Sequence, residues 1–287
     1  MGVTTDLCEG PRGGRKSRRA AAIEARSKRP GVAVPRYLVF VLRLRWLVGA
    51  VAVSALLGAP GTVRSAHPAR SPDRSVSQTR LLGSSVLHRR IWVVERGDPD
   101  APVKELVVGC IHGNEPAGIP IAELLESLPP PRETDLWVVE SSNPDGVAAG
   151  TRTNAAGVDL NRNFPWRWRW QGRPGDLHYS GPRPLSEPES RLLASLIRRL
   201  RPSVTIWFHQ PLAVVDESGG RIAVERRYAS LVGLPLRRLP RYPGGATDWQ
   251  NARFSHTTAF VVELPTGGLS ARGVRRYALA VTRLAAR

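Results

Sequence analysis

The amino-acid sequence predicts an α/β fold, a sandwich of helices on a mixed, mostly parallel sheet. Two observations carry this. Short apolar runs rich in β-branched residues recur at 90–96 (RIWVVER), 105–110 (ELVVGC), 136–140 (LWVVE), 204–208 (VTIWF) and 259–264 (AFVVEL). Between and after them lie segments with helical spacing, and such alternation argues for helices packed on a sheet.

The elements follow in order. Residues 1–36 are rich in Arg, Gly, Ala and Pro without apolar periodicity, and read as a disordered basic extension. An over-long start to the reading frame is the other reading of this stretch. Residues 37–66 hold the apolar run YLVFVLRLRWLVGAVAVSALLGA, interrupted by Arg43 and Arg45. Its uninterrupted part, Trp46 to Ala59, is 14 residues. A membrane span needs about 20. The run suits a signal peptide cut near Ser65 or Ala66, or an uncleaved N-terminal membrane anchor. Either way the rest of the chain is expected to be exported. Residues 67–77 read as a linker within a Ser-, Arg- and Pro-rich stretch that reaches residue 80, and 78–287 as one catalytic domain.

Within that domain, Asp98-Pro99-Asp100 marks a turn between the first two strands. Ile119, Ile121, Leu124, Leu125 and Leu128 place a helix over 116–128. Residues 143–184, dominated by Gly, Pro, Asn and Trp, read as a long loop, either functional or disordered. Ser186-Glu187-Pro188-Glu189 predicts a helix start with Ser186 as cap and Glu189 completing a capping box. That helix should run to about Arg201. A further helix is expected over 225–232, and a last one after residue 264, to about Ala286.

The formal net charge of +18 invites a nucleic-acid reading. Residues 1–70 hold 13 Lys/Arg and 3 Asp/Glu, so +10 of the excess lies in the first quarter. No helix-turn-helix, RNP or zinc-finger spacing accompanies it, which excludes nucleic acid as the expected partner. The two cysteines, Cys8 and Cys110, make no disulfide framework.

Val107 to Glu115 is an apolar strand running into a turn that carries His112 and Glu115, three residues apart. That spacing puts both side chains on one side of a turn. An imidazole and a carboxylate suit zinc, and two histidines with one glutamate leave a position open for catalysis. His209, directly after VTIWF, is the candidate third ligand, 97 residues away. On spacing alone a His-x-x-Glu pair is usually a surface pair, and a histidine after a strand is more often a hydrogen-bonded loop residue than a ligand. His67, His88, His178 and His256 read as surface residues.

The segments GCIHGNEPAG, NPDG, TRTN, VDLNRNFP, YSGPRPLSEPES, WFHQP and VVELP, in this order, resemble the zinc carboxypeptidase family. The compact bacterial branch of murein peptide amidases is the nearer likeness, over about 78–287. The resemblance implies a three-layer sandwich with helices flanking a mixed, mostly parallel central sheet. It implies one Zn2+ per chain, held by His112, Glu115 and His209. Arg152 matches the arginine that polarises the scissile carbonyl, and Asn161 and Arg162 the pair that binds the substrate's terminal carboxylate. Asp159 matches the aspartate behind the first zinc histidine, and Glu263 the catalytic acid/base. Thr247 falls where the family separates apolar from basic side chains, and Asp248 either meets a substrate amine or serves a turn. Tyr242 lies near the place of the family's mobile tyrosine, with different spacing to Gly244-Gly245. The implied activity is hydrolysis of a C-terminal amide bond in a peptide with a free carboxylate, plausibly a murein peptide. A general exported metallocarboxypeptidase, an N-acyl amino acid deacylase and a non-catalytic peptide-binding module are the alternatives. No partner protein is expected.

Overall fold

The structure, a computed structural model, describes residues 75–285. The basic extension, the apolar segment and all but the end of the linker lie outside the described residues. Eight strands form one sheet: β1 (Val76–Ser84), β2 (Arg90–Gly97), β3 (Val103–Val108), β4 (Thr134–Val139), β5 (Val204–His209), β6 (Leu212–Asp216), β7 (Leu236–Arg237) and β8 (Thr258–Pro265). Their spatial order is β1-β2-β4-β3-β5-β8-β6-β7. The run β4-β3-β5-β8 is parallel, while β1, β2 and β6 pair antiparallel with their neighbours on the inner side.

The central strands are buried along their whole length, as β4 and β5 show. Burial on both faces is what makes such strands read as continuous apolar runs. Successive residues serve opposite faces. Val107, Ile206, Phe208, Phe260 and Val262 pack with helices α1 (Ile119–Ser127), α4 (Ile222–Val232) and α6 (Ala271–Ala285). Leu106, Val108, Trp207 and Val261 pack with α3 (Pro188–Leu200) and α5 (Ala246–Arg253). This is the expected three-layer sandwich.

Three local expectations change. The stretch read as linker already contains the start of an edge strand, because β1 begins at Val76 and pairs with β2. Its mostly exposed side chains hide the period-2 signal. The cap of α3 is Glu187, not Ser186, and it makes no side-chain cap bond. Ser186 Oγ instead donates to Glu187 and accepts from Asn163, while Glu189 accepts from the Val86 amide and Asn154. The 143–184 stretch is not a featureless loop. It contains a sixth helix, α2 (Pro144–Ala149), and a single 3-10 turn at Leu160–Arg162.

Buried asparagines, rather than apolar periodicity, order that stretch. Asn143 caps α2 through Gly146 N at 2.9 Å and donates to Ile111 O at 3.1 Å. Asn154 accepts from the amides of Ala156 and Val158 and donates to Glu187 and Glu189. Asn163 donates to Ser180 O and Arg183 O and accepts from the Glu187 amide. Each satisfies backbone groups that would otherwise be buried unpaired.

Gly113 lies between the two candidate metal ligands of the β3 loop and against α2, where a Cβ would overlap the Gly146 backbone. Gly113→Ala is therefore expected to destabilise the chain by about 1–3 kcal/mol, the usual cost of overpacking. Urea unfolding measures it, and a variant as stable as the parent would contradict this packing.

Candidate metal centre and cleft

Strands β3, β5 and β8 are parallel neighbours, so their C-terminal ends share one edge of the sheet. Ligand sites of open α/β sheets gather there. His112 and Glu115 come from the loop after β3, His209 is the last residue of β5, and Glu263 pairs with His209 in register on β8. The sheet thus joins residues that the sequence separates by 97 and 54 positions.

His112, Glu115 and His209 are all buried, and one ligand atom from each lies within 4.8 Å of the others. Glu115 Oε2 sits 3.0 Å from His112 Nδ1 and 3.1 Å from His209 Nδ1. His112 Nε2 faces Asp159 Oδ1 at 3.0 Å. A proton on Nε2 donates to that carboxylate and leaves the Nδ1 lone pair turned toward Glu115. Lone pairs of two imidazoles and a carboxylate gathered this closely repel unless a cation or protons lie among them. Two histidines and a glutamate match the donor set of catalytic zinc, so the residues fit the ion.

Asp159 is fully buried. Burial opposes its charge, but His112 and Arg152 beside it hold its carboxyl well below the usual range. Burial likewise works against Glu115, and the two facing imidazoles overcome it, so that carboxyl is also held down. His112 loses some basicity to burial yet is raised on balance by Asp159 and Glu115. Arg152 bridges the two acids, with Nε on Asp159 Oδ2 at 3.0 Å and Nη1 on Glu115 Oε1 at 2.9 Å.

A cleft of about 230 Å³ opens from this centre. Its lining includes Arg152, Asn161, Arg162, Tyr242, Thr247, Asp248 and Glu263, so every site residue expected from the sequence except Asp159 borders it. Asn161 Oδ1 accepts from the Ala246 amide, which anchors this side chain at the cleft wall. Arg162 is buried and donates to Asn161 O, and its Nε has no partner. Burial lowers its pKa. Gly244 (φ +82°) lets the neighbouring loop pass directly over the Arg162 backbone. Tyr242 lies with its ring 4.6 Å from the Arg162 guanidinium.

Asp248 sits in the first turn of α5 and faces Arg241 Nε at 3.7 Å. Burial raises its pKa, with Arg241 acting against the rise. Glu263 carries an Oε2 that is buried without a hydrogen-bond partner. Burial raises its pKa, opposed by His209 and assisted by Glu115.

Four further residues join the site. Gln210 accepts from the Ala117 amide and donates to Pro265 O and Gly267 O, tying the ligand loop to the end of β8. Its own amide donates to Glu115 Oε2 at 3.2 Å. Asp216 fixes Arg241 at 2.7 Å. His178, read as a surface residue, is exposed but reaches Asp159 at 3.4 Å and stacks on Tyr242. Only Gln210 carried a sequence signal, its place directly after His209.

Comparison with known proteins agrees with this geometry. The family model described as zinc carboxypeptidase matches residues 69–215, which include all three candidate ligands. Murein peptide amidase A of Escherichia coli K12 is 36% identical over 124 residues, 39% of this chain and 51% of that protein. Its namesake from Vibrio campbellii is 34% identical over 175 residues, 56% and 68% respectively. The chain thus spans about half the length of the first of these relatives. The crystal structure of murein-tripeptide amidase from E. coli O157 superposes with a TM-score of 0.59 at 28% identity, covering 75% of this chain and 95% of that one. The chain belongs to the zinc carboxypeptidase family.

Proposed function

We propose that this chain is a zinc-dependent hydrolase that cuts a C-terminal amide bond of a peptide, with a murein peptide as the substrate class. One observation carries the hydrolytic reading. A half-buried carboxyl with one buried, unpaired oxygen, Glu263, stands in register with His209 at the mouth of a His-Glu-His cluster. His112, Glu115 and His209 would hold zinc, which would supply a Lewis acid and lower the pKa of a water toward neutrality.

Glu263 takes a proton from the attacking water and passes it to the leaving nitrogen. Its raised pKa brings it closer to the working pH at which such a shuttle is efficient. Arg152 uses Nε and Nη1 on Asp159 and Glu115, and Nη2 remains to stabilise the negative charge growing on the carbonyl oxygen. Arg162 and the Asn161 amide grip the terminal carboxylate of the substrate, a task suited to a planar guanidinium. Tyr242 covers that subsite.

The murein reading rests on the amidase relatives and on the charges of the cleft. Asp248 and Arg241 lie side by side on its wall. Such a pair complements a side chain that bears both an amine and a carboxylate, as diaminopimelate does. Export of the domain by the apolar segment at 37–66 fits a cell-wall substrate. Recovery of the mature chain only from the cytoplasm would remove that support.

Glu263→Gln is expected to keep zinc and lose at least ~100-fold in turnover. Mass-spectrometric assay on a murein tripeptide and on simple C-terminal peptides measures it. Unchanged turnover would leave a peptide-binding module. Cleavage of simple peptides alone would favour a general carboxypeptidase. His209→Ala should fold but bind less than stoichiometric zinc by elemental analysis, and full occupancy would remove His209 from the site. Arg162→Lys should raise KM by ~10-fold or more with a smaller change in kcat, since the loss falls on carboxylate binding.

A further inference from the structure

The opposite edge of the sheet holds a second site-like feature. A cleft of about 400 Å³ is lined by Val103, Glu105, Ser203, Val204 and Leu284, with Arg221 at the cap of α4 and Ala223, Val224 and Arg227 on its first two turns. Glu105 and Val204 are paired neighbours near the starts of β3 and β5. The metal ligands follow the far ends of those strands, so the two sites lie about 20 Å apart at 3.3 Å per residue.

Glu105 is 1% exposed, and neither of its carboxyl oxygens has a hydrogen-bond partner. No other carboxyl among the described residues is buried with both oxygens unpaired. Leaving such a group unpaired is costly, and folded chains keep few of them without a reason. Burial pushes its carboxyl up to about 8, so it holds a proton at neutral pH. Burial raises the pKa of Tyr228 on α4, and Tyr277 and an ionised Glu105 add to the rise.

The chemistry changes from the inside of this cleft outward. Glu105 is the most deeply buried residue of the lining. Val103, Val204, Val224 and Leu284 supply apolar surface. Arg221 and Arg227 are exposed, and Arg227 also donates to Arg283 O. A complementary ligand therefore has a donor end, a short apolar body and an anionic end.

We propose that this cleft is a binding site for a small zwitterion whose ammonium and carboxylate lie at opposite ends of a short aliphatic chain. The ammonium pairs with Glu105 and the carboxylate meets Arg221 and Arg227. On binding, the ammonium replaces the Glu105 proton, which leaves to solvent, so the buried pair is neutral overall. This site is independent of the zinc chemistry, and its failure would leave the proposed hydrolysis untouched.

Isothermal titration of the zinc-loaded full chain with 4-aminobutyrate, butylamine and butyrate tests it. 4-Aminobutyrate should bind at least ~10-fold more tightly than butyrate, and its enthalpy should shift with the buffer's ionisation enthalpy by close to one proton released at pH 7. Glu105→Gln, a near-isosteric neutral change, should weaken 4-aminobutyrate at least ~10-fold and abolish the proton release. Arg221→Ala, at the exposed mouth, should weaken 4-aminobutyrate but not butylamine. Absence of binding overturns the proposal. So does an isotherm that Glu105→Gln leaves intact, which would place the probe in the metal cleft. A crystal structure with Arg221 or Arg227 closed onto Glu105 would equally end it.

Discussion

The Asp159 carboxylate is the group on which the metal end of this protein depends. It is buried completely, and a lone carboxylate there would cost several kcal/mol in lost hydration. His112, Arg152 and the Asn161 amide offset that cost by bonding to it. Each of those bonds fixes a different function. The first sets the tautomer that turns His112 Nδ1 toward Glu115. The second aims Arg152 across the ligand cluster. The third starts the turn that carries Asn161 and Arg162. One buried charge thus positions the candidate metal ligand His112, Arg152 and the turn bearing Asn161 and Arg162 together. Removing it would leave both Arg152 Nε and His112 Nε2 without their partner rather than trim one contact.

The sheet makes this arrangement rigid. His209 and Glu263 end adjacent parallel strands, so their separation is set by backbone pairing and not by loop conformation. The loop bearing His112 and Glu115 is held to the same edge by Gln210, whose side chain bonds to Ala117 on one side and to Pro265 and Gly267 on the other. Preorganisation of this kind is what lets a carboxyl act on a proton without first moving.

Much of this was legible in the sequence, for identifiable reasons. Strands buried on both faces announce themselves as apolar runs, and the helices between them as periodic stretches. The sheet order follows from neither. That β3, β5 and β8 lie side by side, and so bring residues 112, 209 and 263 together, is a property of the parallel pairing. Segment order, through family likeness, stood in for it. The capping expectation at Ser186 failed because the local pattern was satisfied by tertiary partners: Asn163 and Val86 took the bonds that a capping box would have used. His178 and Arg241 were invisible for the same reason, since their roles come from contacts with Asp159 and Asp216 on distant segments. Helix α2 is only six residues and is anchored by Asn143, so no periodicity could form.

Unpaired buried polar atoms occur in the scaffold, as at Trp207 Nε1 and Tyr277 Oη, and also in the two clefts. At the metal edge the unsatisfied groups are Glu263 Oε2 and Arg162 Nε, both on cleft-lining residues. Substrate would supply the missing partners, so the cost of leaving them bare is returned on binding. The scaffold asparagines at 143, 154 and 163 show the opposite pattern, with their amide groups bonded to the chain itself. Glu105 differs from scaffold carboxyls such as Asp135 and Glu225 in having both oxygens unpaired. An apolar residue would fill its position in β3 at lower cost, because Leu106, Val107 and Val108 beside it are buried without polar atoms to satisfy. A carboxyl at that place is explained by what it binds, and the arginines at the cleft mouth indicate that the partner carries a negative end.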